Sequence, residues 1–187
     1  MNDIALGVAH ITDWQGYDHM LYLLALVARL DLRHVGKAAL LATAFTLGHS
    51  FTLAIASLDV FRVSGKWVEF LIPVTILGTA LWGLFHGDGN VKSRRWTYIM
   101  AIGFGLIHGL GFSSFFRMTR DDTVDLVAGL FRFNLGVEIG QLFIVAIMLA
   151  IASLLRACNV SARDQQLFVC GGAAFLSLVM ALERVPW

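Results

Sequence analysis

Charged residues are scarce in this sequence. Of its 187 residues, only 14% are Asp, Glu, Lys or Arg, whereas 58% are hydrophobic, and the mean hydropathy is +0.74. A soluble domain of this length usually carries about 25% charged residues to cover its surface. The composition therefore excludes an ordinary soluble protein and indicates an integral membrane protein whose main solvent is the lipid bilayer.

Cysteine and a strong net charge are also lacking. The two cysteines, Cys158 and Cys170, have a spacing that fits neither a CxxC metal site nor a disulfide framework. The formal net charge is +1, and the basic residues are scattered through the predicted connections instead of lining one face. We therefore expect passive cysteines and no nucleic-acid partner.

Long apolar segments fill most of the chain. A span needs about 20 mostly apolar residues, so the chain has room for about six transmembrane helices and no separate soluble domain. We predict an all-α membrane protein in which residues 1–187 form one helical bundle, with residues 1–14 as an interfacial or re-entrant helix. The predicted spans are 17–30, 38–58, 68–85, 98–116, 126–155 and 167–182.

The distribution of Lys and Arg predicts the orientation of this bundle. If the N-terminus lies outside, the inner connections hold eight basic residues and the outer ones five. Because inner loops are usually the more basic, both termini are predicted to lie outside. The acidic connection around Asp121 and Asp122 then lies on the outer side, where it can attract cations.

Ionisable residues within the spans are the main functional signal. Each costs a few kcal/mol to insert, so each is a candidate site residue. With the N-terminus outside, five of them lie at a similar depth toward the outer face. Imidazoles and carboxylates suit a divalent transition metal such as nickel or zinc, and they serve proton transfer equally well. The predicted metal ligands are Asp18, His19, His49, His108 and Glu138.

Other polar residues accompany this predicted cluster. Asn134, Glu138 and Gln141 are spaced i, i+4, i+7, which places them on one helical face. Gly105 and Gly109 form a GxxxG pair around His108, which allows another helix to approach closely. The predicted supporting residues are Glu69, Ser50, Thr52, Asn134, Gln141 and His10, the last on the interfacial N-terminal stretch.

Five segments of the chain resemble, in order, the signature segments of the HupE/UreJ family of small bacterial membrane proteins. The resemblance implies a multi-pass protein of the bacterial inner (cytoplasmic) membrane, in a family associated with nickel uptake for hydrogenase and urease maturation. Its motif residues match Asp18, His19, His49, Glu69, His108 and Glu138 of this chain. The segments are GYDHMLYLLAL, TAFTLGHSFTLAIA, VEFLIPVTI, FGLIHGLGF and FNLGVEIGQ.

Three functions fit these patterns. The first is a permease or channel for a divalent transition-metal ion, most plausibly nickel, which enters from the outer side and is partly desolvated by the cluster. The second is an intramembrane metal-dependent enzyme, with Glu138 and His108 as catalytic residues, acting on a lipid or lipidated substrate in the outer leaflet. HExxH and GxSxG signatures are missing from the sequence, which weakens this second hypothesis. The third is a membrane assembly factor whose polar cluster only packs helices and binds no metal.

Overall fold

The computed structural model describes residues 2–14, 16–58, 63–86, 91–119 and 126–187, and these residues form helices and connections without any strand. The all-helical prediction is therefore confirmed for the described part of the chain. A short 3₁₀ helix, Leu32–His34, precedes the third long helix. The α-helices are α1 (Asp3–Ile11), α2 (Asp18–Val27), α3 (Val35–Ser57), α4 (Gly65–Phe85), α5 (Val91–Thr119), α6 (Leu126–Ala157) and α7 (Ala162–Glu183).

Four helices of the described chain are long and apolar enough to cross a membrane. They comprise α3 together with the preceding 3₁₀ turn, α4, α6 and α7. The first predicted span, 17–30, is represented by α2, which has only 10 residues and extends about 15 Å, half of a bilayer core. The count of six spans and the outward orientation of the termini stay predictions.

Large apolar side chains project from the outer surfaces of the long helices. Phe168 on α7 is 85% exposed, and Phe131 and Phe143 on α6 are 69% and 65% exposed. A protein surrounded by water rarely exposes so much contiguous apolar surface. The surface therefore matches a bundle that is surrounded by lipid.

Helices α3 and α5 approach each other backbone to backbone. A Cβ atom added at Gly48 of α3 would collide with the carbonyl oxygen of Ile102, and one added at Gly105 of α5 would collide with that of Phe45. Gly109 likewise faces the carbonyl oxygen of His49. The close approach predicted from the GxxxG pair is confirmed, and it sets the separation of the two helices that carry His49 and His108.

The short helix α1 packs against α6 in the same manner. Gly7 and Gly136 face each other, so that a Cβ on Gly7 would meet the carbonyl oxygen of Phe133. Arg132 Nε of α6 donates to Asp3 Oδ2 of α1 at 2.8 Å. Asn2 caps α1 by accepting the backbone N–H of Ala5. These contacts fix a helix that is itself too short to span the bilayer.

A buried carboxylate joins α6 to the connection between α2 and α3. Asp31 is 2% exposed; its Oδ1 accepts from His34 Nδ1 at 2.8 Å, and its Oδ2 pairs with Arg156. Arg156 also donates to the carbonyl oxygen of Arg29. Burial acts to raise the pKa of Asp31, but the hydrogen bonds from His34 and Arg33 and the charges of Arg156 and Arg33 outweigh it, so the pKa lies below its usual value.

Candidate metal centre

Three histidines from three different helices converge. His10 lies in the last turn of α1, His19 lies in the first turn of α2, and His49 lies within α3. One ring nitrogen from each can be chosen so that all three lie within 4.8 Å of one another. His19 is 8% exposed and His49 is fully buried. A single ion of transition-metal size can be shared by three imidazoles in such an arrangement.

His108 of α5 adds a fourth imidazole beside this group. Its ring centre lies 5.0 Å from that of His19, and the side chain is 2% exposed. His108 Nδ1 lies 2.9 Å from the carbonyl oxygen of Phe104. Because a carbonyl oxygen only accepts, Nδ1 carries the proton and Nε2 keeps a free lone pair. Backbone hydrogen bonds of this kind fix the tautomer of metal-binding histidines in many proteins.

The buried ring nitrogens of this cluster lack hydrogen-bond partners. His19 Nε2, His108 Nε2 and both ring nitrogens of His49 have none within hydrogen-bonding geometry, although the Asn134 side chain lies beside the His49 ring. Buried polar atoms are normally satisfied, and each unsatisfied one costs about 1–3 kcal/mol. A bound metal ion would satisfy several of them together, so the residues present fit such an ion.

Aromatic rings enclose the histidines on one side. The Phe45 ring centre lies 5.2 Å from that of His108 and 6.0 Å from that of His19. Phe133 of α6 stacks on His49 with ring centres 6.4 Å apart. Tyr22 lies 5.9 Å from His108, and its buried hydroxyl has no hydrogen-bond partner. These rings exclude water from one side of the cluster, which strengthens electrostatic interactions there.

A cavity of about 630 Å³ adjoins the other side of the cluster. Most of its surface is apolar, and Leu6 of α1 and Ile72 of α4 are among the residues that line it. His10, His19 and His108 all border it, and so does Glu69. The histidine cluster is therefore buried against aromatic rings on one side and accessible from a cavity on the other.

Asp18 lies at the wall of this cavity and forms an ion pair. Arg184, at the end of α7, donates to Asp18 Oδ2 at 3.0 Å, and both residues line the cavity. Asp18 Oδ1 is buried without a hydrogen-bond partner. The carboxylate predicted as a metal ligand is therefore held beside the histidines, with a cation paired to one of its oxygens and the other oxygen available.

Glu138 lies apart from the histidine cavity. Its two oxygens accept hydrogen bonds from Thr43 Oγ1 and Thr46 Oγ1, each at 2.6 Å, and Gln141 Nε2 donates at 2.7 Å. It lines a second cavity, between α3 and α6, together with Asn134 and Ser50. The structure thus brings together four of the predicted ligands, Asp18, His19, His49 and His108, and places the fifth in a different polar group.

The sequence predicts only a supporting role for one residue of the histidine cavity, His10, and no role for another, Arg184. His10, predicted only as a supporting residue, lies with its ring centre 4.7 Å from that of His19. Gly7, one helical turn before His10 on the same face, could have indicated that another helix packs closely there. No sequence feature predicts the position of Arg184, because it follows the last helix and contacts Asp18 only through the tertiary fold. Thr52, predicted as a supporting residue, donates its hydroxyl to the carbonyl oxygen of Gly48 within α3 at 3.2 Å.

Comparison with known proteins gives one match. The family model described as HupE / UreJ protein matches residues 1–183 of the chain. No curated protein and no solved structure is significantly similar to it. The family match covers the helices that carry all four clustered histidines as well as the group around Glu138. The apolar helical bundle with its histidine cluster therefore belongs to the HupE/UreJ family.

Proposed function

We propose that this protein is a permease of the bacterial inner membrane for a divalent transition-metal ion, most plausibly nickel. In this proposal His10, His19, His49 and His108 bind the ion, with Asp18 as a carboxylate beside them. The observation that carries the proposal is the convergence of four imidazoles from four helices, three buried and one partly buried, next to an accessible cavity. Members of the family are associated with nickel or cobalt transport or with urease maturation, and imidazole nitrogen suits these metals.

The cavity makes an exchangeable site physically reasonable. A permease must bind its ion firmly enough to remove part of the hydration shell, yet release it within the transport cycle. Histidines bordering the cavity leave room for water to complete the coordination shell, which a closed protein shell would not allow. The ion is expected to enter from the side of the cavity, toward the predicted outer face.

A second function is favoured by the size of the cavity. Six water molecules occupy roughly 180 Å³, whereas the cavity measures about 630 Å³ and is mostly apolar. Three protein ligands with an open position beside a substrate-sized cavity are typical of a catalytic zinc centre. In a metal-dependent enzyme acting on a lipid or lipidated substrate, Asp18 or Glu69, which line this cavity, would replace Glu138 as the acid or base.

Metal binding by the purified protein tests the proposed site. We expect detergent-solubilised protein to bind nickel, zinc or cobalt at about one ion per chain, and His49→Ala or His108→Ala to weaken this binding strongly. His86→Ala is the matched control, since His86 is an exposed histidine at the other end of α4 that stacks on Trp82. Full binding by the His49 and His108 variants, or equal loss in the control, would overturn the site.

Transport in proteoliposomes separates the functions. Metal uptake that saturates, is competed by related divalent ions and is lost in His49→Ala supports the permease. A tightly held stoichiometric metal without uptake supports the enzyme instead. Purified protein without any metal affinity supports an assembly factor and contradicts both metal-dependent functions.

A further inference from the structure

The polar group around Glu138 is a second, partly buried site that the histidine cluster does not use. Glu138 lies in α6, within a segment long and apolar enough to span the membrane. Both carboxylate oxygens accept from threonine hydroxyls of α3, and Gln141 donates to Oε2 as well. Three hydrogen-bond donors are therefore directed at one carboxylate.

Within the part of the chain that the structure describes, this carboxylate has no cationic partner. The ion pairs there involve Asp3, Asp18 and Asp31, and none involves Glu138. An unpaired charge in an apolar segment is costly, so carboxylates in such segments usually pair with a cation. A monovalent cation would neutralise the single negative charge of Glu138, whereas a divalent cation would leave an excess positive charge.

An unpartnered oxygen atom indicates which monovalent ion fits. Gln141 is fully buried; its Nε2 lies within hydrogen-bond distance of Glu138, Thr46 and the carbonyl oxygen of Ala42, whereas its Oε1 has no hydrogen-bond partner. A proton on Glu138 would neutralise the charge but would leave this oxygen unsatisfied. A cation that binds oxygen ligands would be coordinated by the carboxylate and the hydroxyls, and by the Gln141 oxygen once the amide group has turned toward them.

A groove leads to this group. The second cavity, about 440 Å³ in volume, lies between α3 and α6 and is lined by Ala54, Ser50 and Thr46 on successive turns of α3. Asn134 lines the same cavity and lies beside the ring of His49. Thr46 and His49 are one turn apart on α3. Occupancy of the two sites can therefore be linked through α3 and Asn134.

We propose that Glu138, Thr43, Thr46 and Gln141 form a binding site for a monovalent, oxygen-coordinated cation, namely the sodium ion. The site stands on its own geometry, whereas a role as the coupling ion for metal transport rests on the permease function proposed above. Sodium then enters along the α3–α6 groove and neutralises Glu138. The presence or absence of sodium changes the position of α3 and thereby the affinity of the histidine cluster.

Direct sodium binding tests the site without any transport assay. Detergent-solubilised wild-type protein, prepared without divalent metals, is expected to bind about one radioactive sodium ion per chain. Glu138→Gln is expected to abolish this binding, while Glu183→Gln, which changes an exposed carboxylate at the end of α7, leaves it intact. Absence of sodium binding by the wild type, or unchanged binding by Glu138→Gln, overturns the proposal.

A conservative pair of variants guards against loss of fold. Thr46→Val removes the hydroxyl and keeps the shape, so sodium affinity is expected to fall roughly tenfold or more, while Thr46→Ser restores most of it. Both variants must elute from size exclusion as the wild type does. Equal sodium affinity in the two variants contradicts coordination by the hydroxyl.

Metal uptake under imposed gradients distinguishes failure of this site from failure of the permease. Uptake by the wild type is expected to respond to a sodium gradient, and Glu138→Gln is expected to lose that response while it still binds metal at the histidines. Sodium binding without metal uptake refutes the permease and leaves the sodium site standing. Metal uptake that follows a pH gradient, in protein that binds no sodium, refutes the sodium site and leaves the permease standing.

Discussion

Replacing Gly105 by alanine is expected to push α3 and α5 apart beside the histidine cluster. The added Cβ would collide with the carbonyl oxygen of Phe45 and crowd the backbone nitrogen of His49 at 2.9 Å. An ordinary van der Waals contact requires the helices to separate by about 1 Å, and overpacking of this kind costs about 1–3 kcal/mol. His49 and His108 lie on the two helices, so the same displacement separates two of the histidines.

Gly103 provides an internal control for this substitution. It lies two residues earlier on α5, and a Cβ added there meets nothing within 4 Å. Both substitutions gain about 0.5–1 kcal/mol of helix propensity. This gain cancels in the comparison, so the difference in stability between the two variants measures the collision. Gly105→Ala is therefore expected to be about 1–3 kcal/mol less stable than Gly103→Ala, a difference of roughly 2–12 °C in Tm.

Two measurements check this prediction. Thermal unfolding in detergent gives the difference in Tm, and titration with nickel or zinc gives the affinity of the histidine cluster. We expect Gly105→Ala to lose roughly tenfold to hundredfold in metal affinity, as observed when groups that orient metal ligands are disturbed, and Gly103→Ala to match the wild type. If the two variants behave alike in both assays, the glycine contact does not position the histidines.

Three further predictions concern other contacts. Asp31→Asn is expected to lower the free energy of unfolding by about 3 kcal/mol, because it leaves Arg156 without its carboxylate. Since the pKa of Asp31 is lowered in the fold, the wild type keeps this stability above pH 3.8 and loses it as the pH falls through the lowered value. A variant that lacks this acid-dependent loss of stability confirms the role of Asp31. Arg184→Gln removes a cation from the cavity wall and is expected to raise divalent-ion affinity a few-fold in low salt; reduced affinity would contradict a competing role for the arginine. Gly136→Ala, which forces α1 away from α6, is expected to weaken metal binding, whereas Gly171→Ala, whose added Cβ meets nothing within 4 Å, is expected to leave it unchanged.

The sequence predicted much of the fold because membrane segments carry a one-dimensional signal. Apolar length gave helices close to α3, α4, α6 and α7, with boundaries that differ by a few residues from those observed. The shared face of Asn134, Glu138 and Gln141 is confirmed by the hydrogen bond between Gln141 and Glu138 and by the cavity that Asn134 and Glu138 line together. Helical periodicity suffices for such local relations.

The composition of the site is harder to predict, because the sequence indicates how deep a residue lies along its helix but not which neighbouring helix it faces. Glu138 is predicted to join the histidines because it lies at a similar depth, yet in the structure its face contacts a different set of residues. In the fold this face meets Thr43 and Thr46 of α3. His10 shows the opposite case: its helix is too short to be predicted as a span, yet packing on α6 brings it to the other histidines. Only tertiary contacts contain this information.

The packing of α1 on α6 also bears on the order in which the protein is made. Asp3 and Arg132, whose ion pair joins the two helices, are 129 residues apart in the chain. At a synthesis rate of about 5–20 residues per second, α1 waits roughly 6–26 s before its partner is available. During this interval His10 has no helix to hold it against His19 and His49. The histidine cluster is therefore complete only after α6 has been synthesised and packed against α1.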